Sequence, residues 1–273
     1  MNLVDAPVFD VRPLLREERT DLLALLRSLT EAQWTTATAV PGWRVKDIAL
    51  HVLDDDLGWL SRGRDADLSS LLDTTGDYRS FVAALAAKNQ RWVDGACGLS
   101  GRVLCDLLEW AGEQVDAYYA GLDPEGSADV IWASATGAPM WLDLARDFTE
   151  RWVHQQQIRD AVGLPGAHAR FLGTVLRAFV WAYPHQLDAS AEPGDQLELD
   201  LAEGGRWVLT RGVAGWELDE GEGDRSSMLA TVAMSGDVAW RVLTGAAYDR
   251  SAITATGVAD LIDAALQVRG IIV

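Results

Sequence analysis

The chain has 273 residues, 49% of them hydrophobic and 23% charged, a composition that excludes disorder and gives enough material for one large core or two ordinary ones. Its formal net charge of -18 repels phosphate backbones and anionic lipid heads, which leaves a small molecule as the expected partner. The opening residues carry no basic segment followed by an apolar run, and stretches such as Val175 to Tyr183 stop far short of the ~20 apolar residues of a membrane span. The expectation is therefore a cytoplasmic protein that binds neither nucleic acid nor membrane.

In chain order, Leu14, Leu15, Leu22, Leu25, Leu26 and Leu29 follow the 3–4 spacing of a helix packed on one side, predicted over Arg12 to Leu29. Thr, Pro and Gly between Thr35 and Gly42 interrupt that pattern, and Val45, Ile48, Ala49, Val52, Leu53, Trp59 and Leu60 restore it as a second helix. Further helices are expected at about Tyr78 to Asp94 and Val103 to Tyr119, with Gly95 to Gly101 as the break. Met140 to Val162 reads as the clearest later helix, stopped by Gly163-Leu164-Pro165-Gly166.

One more helical stretch, Arg170 to Leu187, precedes a change of period. Gln196-Leu197-Glu198-Leu199-Asp200-Leu201 alternates strictly, as a half-buried strand does. Arg206 to Arg211, Trp216 to Leu218 and Leu229 to Met234 follow as strands separated by Gly-rich turns. A short helix at Val238 to Leu243, a strand at Ser251 to Thr256 and a helix at Val258 to Val268 complete an α+β portion with a largely antiparallel sheet. The predicted division is an all-α part over residues 1–163 and an α+β part over 164–273.

Cys97 and Cys105 match no disulfide or zinc spacing and read as a buried, reduced pair. The chain carries two Lys against 21 Arg, a balance that points to a GC-rich genome.

Two places hold candidate chemistry. On the second helix His51 lies at the edge of the apolar arc, Asp55 lies four residues on along the same flank, and Asp56 points nearer the middle of that arc, where a carboxylate needs a compensating partner. On the Met140 to Val162 helix, Asp147, Glu150 and His154 line one edge of the apolar arc. Glu150 and His154 are one turn apart, so the pair can hold one ion. Imidazole and carboxylate donors together suit a borderline cation such as zinc. Taken alone, His51 reads more simply as a core-edge histidine and Glu150 with His154 as an i,i+4 ion pair. Asp55, Asp56 and Asp147 are weighed as acceptors that orient ligand histidines, against solvated acids or caps. Trp34, Trp43, Trp59, Trp141 and Trp152 read as core or pocket walls, and His168 and His185 lack partners at ligand spacing.

The run Val40-Pro41-Gly42-Trp43-Arg44-Val45-Lys46-Asp47-Ile48-Ala49-Leu50-His51-Val52 resembles the P-G-W-x-V-x-D-[IV]-x-x-H signature of the mycothiol-dependent maleylpyruvate isomerase family, within the DinB-like bundles. Leu29 to Trp34 resembles the stretch before that turn. The resemblance spans roughly residues 10 to 165 and implies a DinB-like four-helix bundle that binds a divalent metal, usually zinc, through His51, Glu150 and His154. The remainder resembles a smaller α+β, sterol-carrier-like domain, most recognisably in Ala239-Trp240-Arg241-Val242-Leu243 and in Arg269-Gly270-Ile271-Ile272-Val273. The implied function is a metal- and mycothiol-dependent isomerase or S-transferase that presents a metal-activated thiolate to a small electrophile. Arg241 or Arg250 is the implied anchor for a substrate carboxylate. A non-catalytic metal- or ligand-binding protein and a metal-dependent hydrolase of thiol conjugates stand as the rival readings.

Overall fold

The computed structural model describes residues 3–69, 71–72, 78–166 and 168–270, so the closing Ile271, Ile272 and Val273 lie outside the described residues. Helices α1 (Arg12–Ser28), α2 (Glu31–Trp34), α3 (Val45–Gly58), α4 (Tyr78–Ala96) and α5 (Gly101–Tyr119) come first. The short strands β1 (Ser127–Ala128) and β2 (Ala138–Pro139) pair as a hairpin ahead of α6 (Met140–Val162). Helices α7 (His168–Phe179) and α8 (Tyr183–Gln186) lead to strands β3 (Gln196–Asp200), β4 (Arg206–Arg211), β5 (Trp216–Glu220) and β6 (Met228–Ala233). The last elements are α9 (Gly236–Thr244), β7 (Thr254–Gly257) and α10 (Ala259–Ala265).

By their contacts the residues form two compact units, one of Arg12–Leu122 with Arg151–Gly166 and one of Met1–Val11, Asp123–Glu150 and Ala167–Val273. In the first, α1 and α3 pack on α5, and α4 packs on α3. Their core is apolar, with Leu22, Leu26, Val45, Ile48, Leu104, Leu108 and Ile158 among its buried members. The 3–4 spacing read from the sequence is the spacing that brings these side chains to one face of each helix. Trp92 ties α4 to α3 by donating its Nε1 hydrogen to the Leu50 carbonyl at 2.7 Å.

The second unit contains the five-stranded sheet, ordered β5-β4-β3-β6-β7. All its pairings are antiparallel except β3 with β6, which is parallel. Leu197, Leu199, Leu209, Leu218, Val232 and Trp240 are fully buried there, so the alternation in β3 does put one face on a core. The helical N-terminal region and sheet-bearing C-terminal portion are the expected fold class.

Three features depart from the expected elements. The second helix continues beyond Gly58 as a π-helical turn over Trp59–Arg64. The stretch expected as one helix to Leu187 tightens into a 3-10 turn at Val180–Ala182 just before Pro184, where the ring removes a backbone donor. Cys105 is buried but Cys97 is exposed, which corrects the expectation of a buried pair. Among the described residues no helix is long and apolar enough to cross a membrane.

Candidate metal centre

His51 is delivered by a turn and a cap. Pro41 and Gly42 occupy the centre of a turn closed by the Trp43 amide donating to the Val40 carbonyl at 3.0 Å. Gly42 takes a φ of 82°, the value a type II turn requires at that position and that L side chains resist. The chain then enters α3, where the Asp47 carboxylate accepts from the Arg44 backbone amide at 2.8 Å and so satisfies a donor left open at the helix start. Val45 and Ile48 anchor the core face at 0% exposure, and His51 follows on the next turn. Trp43 stands against it, ring centroids 5.4 Å apart and the planes tilted by 62°, and is itself held by Nε1 donating to Gln90 Oε1 at 2.9 Å.

Glu150 and His154 come from α6. From Asp147 to Ile158 every residue of this helix except Glu150 is buried, including Arg151, Gln155, Gln156 and Gln157. Buried polar side chains are costly unless partnered, so such a helix is built for more than packing. It ends where the sequence pattern placed its stop: Gly163 adopts a φ of 70°, its amide donates to Asp160 and the Leu164 amide reaches back to the Arg159 carbonyl, a Schellman termination.

The structure brings His51, Glu150 and His154 together, with one donor atom from each within 4.8 Å of the others. The two imidazoles meet edge to face, centroids 4.8 Å apart, at 6% and 4% exposure. The Glu150 side chain is 12% exposed. A tetrahedral ion with ligands at about 2.0–2.2 Å spaces its donors about 3.3 Å apart, a contraction within reach of side-chain rotation. Two nitrogens and one carboxylate oxygen, nearly dry and convergent, fit a borderline divalent cation.

The surroundings bear on each ligand. Asp55 lies with Oδ2 3.6 Å from His51 Nε2, while the neighbouring Asp54 is tied to Lys88 at 2.7 Å. Beside Glu150, Arg146 places Nη1 3.7 Å from its Oε2 and donates from Nε to Asp143 Oδ1 at 2.7 Å. Burial works against the Arg146 charge, but Asp143, Asp147 and Glu150 together raise its pKa and keep it a cation. Burial raises the pKa of Asp143 against that same cation.

Asp56 has the compensation its position demands. It is fully buried and accepts from Arg19 Nη2 at 2.7 Å, with Arg151 Nη2 at 2.9 Å. Glu18 accepts from Gln155 Nε2 at 3.2 Å, and burial pushes its pKa from 4.5 up to about 7 despite the nearby Arg19 and Arg151. Arg241 sits on α9, paired with Asp237 at 3.4 Å and with its guanidinium 4.4 Å from the centre of the Trp240 ring. Arg250 lies in a 3-10 turn and pairs with Asp263 at 2.7 Å.

Sequence reasoning missed Arg146, Arg151, Glu18 and Gln157. The signal for Arg146 was its position one turn before Glu150. For Gln157 it was a run of three glutamines in a helix otherwise expected to bury one face.

Two histidines and a glutamate converging from α3 and α6 form a group that could hold a metal ion, in a helical protein that also carries a sheet. The chain belongs to the mycothiol maleylpyruvate isomerase N-terminal domain family, whose sequence pattern matches residues 15–159. It is similar in fold to the crystal structure of the mycothiol-dependent maleylpyruvate isomerase, with a TM-score of 0.59 at 14% identity, covering 95% of this chain and 98% of that one. A histidine-to-alanine mutant of that enzyme matches with a TM-score of 0.57 at 13% identity and the same coverage. No curated protein sequence matches the chain.

Proposed function

We propose that the protein is a metal- and mycothiol-dependent isomerase or S-transferase acting on a small electrophilic substrate. The observation that carries this reading is the convergence of His51, Glu150 and His154 within 4.8 Å in a chain of this family. These three side chains are the proposed ligands, and zinc is the proposed ion. When bound, a divalent cation depresses the pKa of a coordinated thiol as it does that of water, and so makes a thiolate available at neutral pH.

The chain's own residues do the rest. Three protein donors leave room for an exogenous ligand. Trp43 covers one edge of His51, restricting the ring's rotation and the access of water. Arg146 sets a guanidinium 3.7 Å from the Glu150 carboxylate, a positive neighbour for that proposed ligand. A guanidinium grips a substrate carboxylate by two parallel hydrogen bonds, and Arg241 or Arg250 is the proposed source. In this reading residues 1–163 form the metal-binding part and 164–273 the sterol-carrier-like part, and the protein works in the cytoplasm.

The test is an electrophile panel assayed with and without mycothiol on the zinc-loaded protein and on His51→Ala. Turnover that requires both the thiol and His51 supports the proposal. Turnover indifferent to thiol replaces it with a hydrolase, and ligand binding without turnover replaces it with a carrier.

A further inference from the structure

The three consecutive glutamines of α6 turn to different partners. Gln155 donates to Glu18 Oε1 at 3.2 Å and accepts from Arg159. Gln156 donates to the Trp152 carbonyl at 3.4 Å. Gln157 addresses a proposed ligand: its Oε1 lies 2.8 Å from His154 Nδ1, with both residues buried.

We infer that Gln157 is a positioning residue that fixes His154 as the Nδ1–H tautomer and turns its Nε2 toward the metal. The inference rests on the metal-site reading above and adds to it a specific residue and a specific proton. A neutral imidazole carries one proton on one of two nitrogens, and a carbonyl oxygen can only accept. With Oε1 against Nδ1, the proton must sit on Nδ1, and the Nε2 lone pair is left for the cation.

The reversed amide does not serve a ligand. Its N–H would need Nδ1 as acceptor, the ring proton would move to Nε2, and neither nitrogen would keep a lone pair for a metal. At three residues' separation the contact spans less than one helical turn, so it is made within α6 whatever the other helices do. It also narrows the rotation of the ring before any ion arrives. Partners of this kind raise the basicity and fix the orientation of ligand histidines, and their loss costs about 10–100-fold in metal affinity.

The experiment uses the full chain labelled with 15N-histidine. There are four histidines in the sequence, so the His154 ring signals are identified by their loss in His154→Ala. Long-range 1H–15N spectra of the metal-free protein then report which ring nitrogen carries the proton, and zinc affinity is read separately by competition with a chromogenic chelator. The expected result is an Nδ1–H ring in the wild type, a mixture of tautomers in Gln157→Leu, and zinc binding weakened by about 10–100-fold in that variant. Gln157→Glu, which keeps an acceptor at the same place, is expected to restore both the tautomer and the affinity.

A purely packing role for Gln157 would lower the unfolding temperature of Gln157→Leu and leave the His154 tautomer alone. A wild-type His154 protonated on Nε2, or a Gln157→Leu protein unchanged in both tautomer and affinity, overturns the inference. Should Gln157→Leu not fold, the wild-type and Gln157→Glu spectra decide it. If the wild type takes up no zinc while His154 is held as Nδ1–H, the metal reading fails and the contact stands, so the two failures are told apart.

Discussion

The helical unit and the sheet-bearing C-terminal portion bury different chemistry. Around α1, α3 and α6 the interior holds Glu18, Arg19, His51, Asp56, Arg151, His154 and three glutamines. Among the described residues beyond Ile158, Thr244 is the only buried side chain that is neither apolar nor aromatic. Charge in that second region stays at the surface, in pairs such as Arg177 with Glu220 and Arg250 with Asp263. Leucines, valines and tryptophans of the kind found around the sheet would stabilise a helical core more cheaply than ions do. The buried charges are therefore concentrated on α1 and on the two helices, α3 and α6, that present the convergent donors, which is where the chain gives up packing stability.

The sharpest way to break this contrast is to remove one charge from each region. Asp56→Ala leaves Arg19 and Arg151 buried without their carboxylate and is expected to cost about 3–5 kcal/mol in denaturant unfolding. A loss under about 1 kcal/mol would mean that water or a rearranged side chain already shares the burden.

Glu18 gives the next largest effect, and its sign is fixed by linkage. Its pKa is about 7 in the folded protein against 4.5 ordinarily, so between those values the folded state holds the proton and the unfolded state releases it. Stability therefore falls as pH rises from about 4.5 to about 7 and is level above that, with a ceiling of about 3 kcal/mol. Arg19 and Arg151 oppose this shift and Asp56 reinforces it. Glu18→Gln is expected to flatten that segment of the stability profile, with a larger gain at pH 8 than at pH 5. An unchanged slope would place the titrating group elsewhere.

The smallest effect belongs to the second region. Asp263→Ala breaks an ion pair whose side chains are 59% and 66% exposed, and it is expected to change stability by less than about 1 kcal/mol, fading with added salt. Parity with Asp56→Ala would erase the distinction between the regions.

Much of this was legible in the sequence because helix and strand periods are local properties. Leucine spacing located α1, the alternation from Gln196 located β3, and Gly163 marked the end of α6. The position of Asp56 on an apolar arc even announced that a partner was needed. That the partners are Arg19 and Arg151 was not legible, since they come from other helices and no local pattern records which arginine faces inward. The parallel pairing of β3 with β6 was hidden for the same reason: alternation fixes a face and leaves the neighbour open. The π-helical turn at Trp59–Arg64 left no mark because Trp59 and Leu60 still continue the apolar spacing. Of the candidate site, Glu150 and His154 were readable as a pair and His51 through the Pro-Gly-Trp signature. Gln157 looked like part of a polar run, and only the fold shows that run to be buried.

A cation held jointly by His51, Glu150 and His154 would need all three side chains, from α3 and α6. Zinc bound per chain, measured on the purified wild type and on His51→Ala, Glu150→Ala and His154→Ala after dialysis against trace metal, tests it most directly. Close to one zinc per wild-type chain is expected, with a large loss in each folded variant. A wild type that retains no metal, or variants that retain as much as the wild type, would contradict it.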